Sequence, residues 1–141
     1  MKRVLSGSLL AISVALMLAG NASAQSIAMK VNIPFDFSVK DNAFEAGEYV
    51  VRVINNSVLS LQGPNGNVAV AMTNAIRAKK PVVNGYLVFS SYGDTYFLSS
   101  AFWPDYGDGR ELVKSSSELE LLARNSRTKA VKLNAEAQVR R

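Results

Sequence analysis

The sequence predicts an all-β domain, a single antiparallel sandwich or small open barrel with one short helix near its C-terminal end. Strand-like segments recur about every eight to twelve residues with turn residues between them, the spacing of sandwiches and barrels. The longest of them alternates strictly between apolar and polar residues, the period of a half-buried strand. Only one stretch, near 115–125, carries the chemistry of a helix start.

The alternating segment runs from Ile27 to Val39. Ile27, Met29, Val31, Ile33, Phe35, Phe37 and Val39 fall on odd positions, and Ala28, Lys30, Asn32, Pro34, Asp36 and Ser38 fall between them. A strand turns successive side chains to opposite faces, so the odd set faces a core and the even set faces water. Pro34 has no N–H to give to a ladder, so the segment is an edge strand or is broken in two there. After Ala46-Gly47, Glu48 to Ile54 reads as the next strand. Val58–Gln62 and Val68–Met72 flank Gly63-Pro64-Asn65-Gly66-Asn67, a hairpin with a five-residue loop.

A basic connector, Arg77 to Pro81, precedes two further strands, Val82–Ser91 and Thr95–Phe102. Gly93-Asp94 between them suits a type II′ turn, with glycine at the first central position. That register pairs Phe89 with Leu98 and Ser91 with Tyr96. It places Tyr86, Val88, Phe97 and Trp103 on the other face. Both faces are partly apolar, so the hairpin is expected to be covered on both sides. Trp103 to Gly109 reads as a loop. Ser115 with Glu118, or Ser117 with Glu120, forms a capping pair ahead of Leu119, Leu122 and Ala123, and Asn125 closes the helix. Ala130 to Val139 is a final strand or a tail.

Residues 1–24 read as a signal peptide. Lys2 and Arg3 are followed by the apolar run Leu9 to Ala19 and the small-x-small triplet Ala22-Ser23-Ala24. Signal peptidase is expected to cut after Ala24, leaving Gln25 first. A run of eleven residues is too short to span a bilayer, which takes about 20 apolar residues. The expected organisation is thus 1–24 leader, 25–125 β-rich domain with its helix, and 126–141 basic tail or weak last strand. The expected location is the periplasm or the extracellular space, with no transmembrane segment after cleavage.

Composition excludes more than it includes. The chain has no histidine and no cysteine. Imidazole-based proton shuttling and nucleophile–histidine pairs are therefore excluded, as are zinc, copper and haem sites built from imidazole or thiolate. Beyond residue 24 there are 14 basic and 11 acidic side chains, about +3, too little to imply nucleic acid. Six of the basic residues lie between Arg124 and Arg141 against one acid, Glu136. Such an end is a solvated tail or a contact for acidic polymers and lipid heads.

Val31-Asn32-Ile33-Pro34-Phe35-Asp36-Phe37, Ala46-Gly47-Glu48-Tyr49, Tyr92-Gly93-Asp94 followed by Tyr96-Phe97-Leu98, and Gly109-Arg110-Glu111-Leu112 followed by Lys114-Ser115 occur in that order. With these motifs the chain resembles a family of small secreted β-rich proteins associated with acidobacterial genomes. The resemblance covers most of the chain beyond the leader. It implies export and a β-rich domain, and it implies no activity and no catalytic residues.

Two constellations are candidates for chemistry. Asp105, Asp108 and Glu111 recur at intervals of three, and an oxygen-rich loop can hold calcium or pair carboxylates for glycoside hydrolysis. The same residues, with Gly107 and Gly109, also make an ordinary turn. Asp36, Asp41, Glu45 and Glu48 read as polar-face and turn positions. The second constellation is aromatic, since eight of the twelve aromatic residues lie between Tyr86 and Tyr106. They fill strand cores, or some form a surface platform: Tyr92, Trp103 and Tyr106 beside Asp94, Asp105 and Asp108. Aromatic faces next to acids hold sugars or extended peptides, and a platform indole must keep one face open.

The reading that results is an exported, non-catalytic envelope or extracellular binding module. Its expected partner is an envelope polysaccharide or a peptide, and it is expected to use no cofactor and no metal. The alternatives are a histidine-free carboxylate-pair hydrolase resembling a glycosidase, and a structural envelope or matrix protein with no small ligand.

Overall fold

The computed structural model describes residues 28–104, 108–125 and 127–136. The leader with Ala22, Ala24 and Gln25 lies outside the described residues, as do Asp105 and Tyr106. The described chain is mostly β with one short helix, in a mixed sheet that is not closed into a barrel. Ten strands follow in order: β1 (Ala28–Ile33), β2 (Phe37–Val39), β3 (Asn42–Phe44), β4 (Gly47–Asn55), β5 (Val58–Gln62), β6 (Val68–Arg77), β7 (Tyr86–Tyr92), β8 (Thr95–Phe102), β9 (Asp108–Leu112) and β10 (Lys129–Asn134). Helix α1 (Ser116–Arg124) lies between the last two. Along the sheet the strands run β1-β4-β5-β6-β9-β8-β2-β3, and β7 pairs with both β8 and β10.

The alternating segment is broken in two at its proline. Met29, Val31 and Ile33 from β1 and Phe37 and Val39 from β2 are buried, while Lys30 and Asn32 face outward. Phe35, in the bend between the strands, is half-buried against Phe89 and Tyr96. β5 and β6 form the expected hairpin around Gly63–Asn67, closed by bonds from Gly63 N–H to the Asn67 carbonyl and from Gly66 N–H to the Gly63 carbonyl. β6 then runs five residues past Met72. Its first half pairs with β5, and its second half, Thr73–Arg77, pairs with β9. One strand thereby serves two parts of the sheet.

The β7–β8 turn is also as expected. Tyr92 pairs with Thr95 across Gly93-Asp94, and Gly93 has φ +64°, which a glycine adopts without steric cost. Phe89 faces Leu98 and Ser91 faces Tyr96. Past that point the register shifts: Val88 pairs with Ser100, leaving Ser99 as an extra residue, a β-bulge. One extra residue exchanges the faces of everything beyond it. Ala101 and Trp103 therefore turn into the core, and Phe102 turns out to stack on Tyr86 at 4.7 Å.

The helix begins and ends where its caps place it. Ser115 Oγ accepts a bond from Glu118 N–H, and Asn125 N–H returns to the Leu121 carbonyl. The Glu118 carboxylate, instead of closing a capping box, accepts from the Tyr92 hydroxyl at 3.0 Å and is buried. This bond draws the helix over the outer face of β7–β8, where Tyr92 and Phe97 meet edge to face. The segment near the C-terminal end resolves into a strand: β10 lies along β7, and Val131 and Leu133 pack on the core.

Candidate functional site

Of the residues expected to form an aromatic platform, the two that are described, Tyr92 and Trp103, are not brought together. Trp103 is 3% exposed and part of the core, and its indole N–H has no hydrogen-bond partner among the described residues. The expectation of a partly exposed ring is corrected by the bulge at Ser99, which turns residue 103 inward. Tyr92 is also 3% exposed, its hydroxyl committed to Glu118. It sits at the turn of the β7–β8 hairpin, while Trp103 follows the other end of β8, roughly 25 Å away at about 3.3 Å per residue. Asp108 is exposed at the start of β9, opposite Arg77. Asp105 and Tyr106 lie outside the described residues.

The structure assembles acids and aromatics elsewhere. A depression of about 390 Å³ is lined by Asp36, Phe37, Phe44, Glu45, Asp94 and Tyr96, with Ser38, Ala43 and Thr95 between them. Each carboxylate arrives from a different connection. Asp36 is in the bend that Pro34 imposes between β1 and β2, Glu45 follows β3, and Asp94 is the second residue of the β7–β8 turn. β2 runs parallel to the start of β8, with Ser38 opposite Phe97, and this pairing brings the β2–β3 hairpin up to the turn.

The walls are held from beneath. Asp36 Oδ1 accepts from Ala46 N–H at 2.9 Å, tying the bend to the segment that carries Glu45. The hydroxyl of buried Tyr49 donates to the Glu45 carbonyl, which fixes that backbone again. Burial pushes the Tyr49 phenol above its ordinary value, and its hydrogen bond to Asn67 opposes the shift. Phe37 and Phe44 stack at 5.6 Å, and Phe35 stacks beneath Tyr96 at 4.0 Å. Phe35 covers one face of Tyr96, and the tyrosine remains half-exposed at the rim.

Asp36, Glu45 and Asp94 are all exposed at the depression, and none is ion-paired with a described residue. The ion pair that is formed, Lys30 with Glu48 at 2.9 Å, joins β1 to β4 elsewhere and raises the lysine pKa. Asp41 accepts from the Ser117 hydroxyl. Among the described residues, no cluster of three or more carboxylates is placed to hold a metal ion.

Sequence reasoning found these acids only as polar-face and turn residues. The sequence sets Asp94 beside Tyr92, whereas the aromatic that lines the depression with it is Tyr96, two residues on. No local signal joins residues 36, 45 and 94, because a parallel strand pair brings them together. Compared with protein-family models, with curated proteins and with solved structures, the chain matches none.

Proposed function

We propose that the protein acts after export as a non-catalytic binding domain, and that the depression at Asp36, Glu45 and Asp94 takes ligands bearing ammonium groups. The expected ligand is a basic stretch of peptide or a polymer of free amino sugars in the envelope. The observation carrying this reading is that three exposed carboxylates from three separate connections, none ion-paired among the described residues, line one depression with half-exposed Tyr96. Carboxylates supply charge-assisted hydrogen bonds to an ammonium, and the tyrosine ring supplies a flat face for the carbon skeleton or the cation. Export rests on the leader-like sequence of residues 1–24.

The test is a calorimetric titration with an oligolysine peptide, a glucosamine oligomer and its N-acetylated form. Binding of a charged ligand, absence of binding by the acetylated one, and loss of affinity in Glu45→Gln and Asp94→Asn support the proposal. Equal binding by those variants removes the depression from it. Binding of none of the ligands leaves the structural envelope protein as the better reading.

A second reading, a carboxylate-pair hydrolase, draws on Asp36 and Glu45 lining one depression, as paired acids must. It requires release of nitrophenol from nitrophenyl glycosides that Glu45→Gln abolishes. Turnover unaffected by that change, or absent, ends it.

A further inference from the structure

Sheet edges invite pairing with other chains, and proteins protect them with charge, proline or shortness. Three edges of this sheet are protected. β1 carries Lys30, is followed by Pro34, and receives the Glu136 N–H at the Lys30 carbonyl. β10 carries Lys129 and Lys132, and β3 is only three residues long. The first half of β6 has none of these devices. Val68, Ala69, Val70, Ala71 and Met72 contain no charge and no proline, and the only described strand they pair with is β5.

The direction of the groups left unpaired among the described residues follows from two bonds. Thr73 N–H goes to the Ser57 carbonyl on the β5 side, whereas the Met72 carbonyl accepts from Val113 N–H on the opposite side. By the period of two, the N–H and C=O groups of Val68 and Val70 also point to that opposite side. Beyond Val113, no described strand lies along it. The side chains beside this edge are apolar and outward: Val68 is 56% exposed, Val70 59% and Met72 61%. Exposed Ile54 and half-buried Val58 continue the patch across β4 and β5. Isolated apolar surface residues are ordinary, but a contiguous row along an open edge marks an interaction site.

We propose that this edge is a homodimer interface in which β6 of one chain pairs antiparallel with β6 of a second copy. A two-fold axis at Ala69 sets Val68 opposite Val70 of the other chain and the converse, because Val-Ala-Val reads the same in both directions. That register satisfies four backbone groups on each chain and continues the sheet from one molecule into the other. It brings the two valine rows side by side with no charge to repel or to select a charged partner. The neighbouring register, with Val70 opposite itself, needs the Met72 carbonyl, which Val113 already occupies. An isologous contact of this kind closes on itself and does not propagate into fibres.

The experiment is sedimentation velocity, from low micromolar to several hundred micromolar, on protein recovered after expression with its own leader. The wild-type chain is expected to dimerise. Val70→Lys, which sets like charges against the valine row, is expected to raise the dissociation constant at least about tenfold, a loss of about 1.4 kcal/mol. Val70→Pro, which removes only an outward N–H, is expected to weaken the dimer similarly. Leu122→Lys, an equally apolar exposed position on the helix, is expected to leave it unchanged. Circular dichroism checks that each variant folds. Because the chain has no cysteine, chains with Val68→Cys mixed with chains with Val70→Cys report the register. Disulfides between the two kinds of chain support it, since cross-strand Cα atoms about 5.5 Å apart fall in the disulfide range. A wild-type monomer at every concentration, a dimer indifferent to Val70→Lys and Val70→Pro, or disulfides only between like chains overturns the proposal.

Discussion

The sheet around β1, β4 and β5 and the sheet around β7, β8 and β9 are built from similar residues but obey the alternation rule to different extents. In the first, every inward residue of β1 is the one its parity predicts, and the outer face stays open to solvent. In the second, one extra residue at Ser99 exchanges the faces, so that Trp103 becomes core and Phe102 becomes cover. The outer face there is roofed by α1 at one end, and at the other Lys132 lies 4.1 Å over the Tyr86 ring. A sheet with one wet face, regular until the register shifts at Ile54 near the end of β4, is legible residue by residue. A bulged sheet covered on both sides has to be read from its partners.

The sharpest way to break the comparison is to delete Ser99. Removing the bulge restores the original parity, drives Trp103 outward and exposes its indole. The expected loss is about 3–5 kcal/mol, the range for losing a large aromatic from a core. Trp103 is the one tryptophan, so its fluorescence reports this site alone. It is expected to be blue-shifted and shielded from acrylamide in the wild type and red-shifted in the deletion. Wild-type emission quenched as readily as a free indole contradicts the inward ring.

In the regular sheet, Ile33→Ala is expected to cost about 2–5 kcal/mol, since Ile33 is fully buried. Asn32→Ala on the wet face is expected to stay within about ±0.5 kcal/mol. Denaturant melts that give equal losses for the two positions contradict the one-sided burial of β1.

The bond between the helix and the bulged sheet sharpens the contrast further. Tyr92→Phe removes the donor to a buried carboxylate, and an unsatisfied buried acceptor costs about 1–3 kcal/mol. Burial, and then the bond to Glu118, raises the Tyr92 pKa above its ordinary value. A raised folded-state pKa means the neutral phenol is favoured by folding. This contribution is therefore complete below about pH 10, the ordinary tyrosine value, and is lost as pH climbs through the raised one. Tyrosinate absorbance should show a late-titrating group that disappears in Tyr92→Phe, along with part of the alkaline loss of stability. An unchanged titration argues against the Tyr92–Glu118 contact.

A small gain is expected at the β2–β3 turn. Lys40 has φ +55°, a left-handed conformation that costs a side-chain-bearing residue about 1–2 kcal/mol. Lys40→Gly relieves that strain but adds unfolded-state freedom, so a net gain of about 0.5–1 kcal/mol is expected. A loss in a thermal melt contradicts it.

The hairpin loops at Gly63–Asn67 and Gly93-Asp94, the break at Pro34 and the caps Ser115 and Asn125 were all legible in the sequence. Each is enforced within a few residues, by a missing N–H, a permitted φ or a side chain bonding to its own backbone. The acid residues of the candidate site were legible one at a time and never as a site. β9 was hidden because Asp108-Gly109-Arg110-Glu111-Leu112 has the composition of a turn. It is a strand because β6 and β8 pair with it. Gly109 suits that place because a Cβ there would lie 2.4 Å from the Phe102 ring. The bulge at Ser99 carries no glycine or proline to announce it. Local chemistry thus determined the β class, the alternating faces, the turns and the helix ends. Tertiary pairing decided the face of Trp103, the placing of Asp36, Glu45 and Asp94 around one depression, and the edge of β6 that has no partner strand among the described residues. Those features depend on which strands become neighbours, and the period of a single segment does not contain that information.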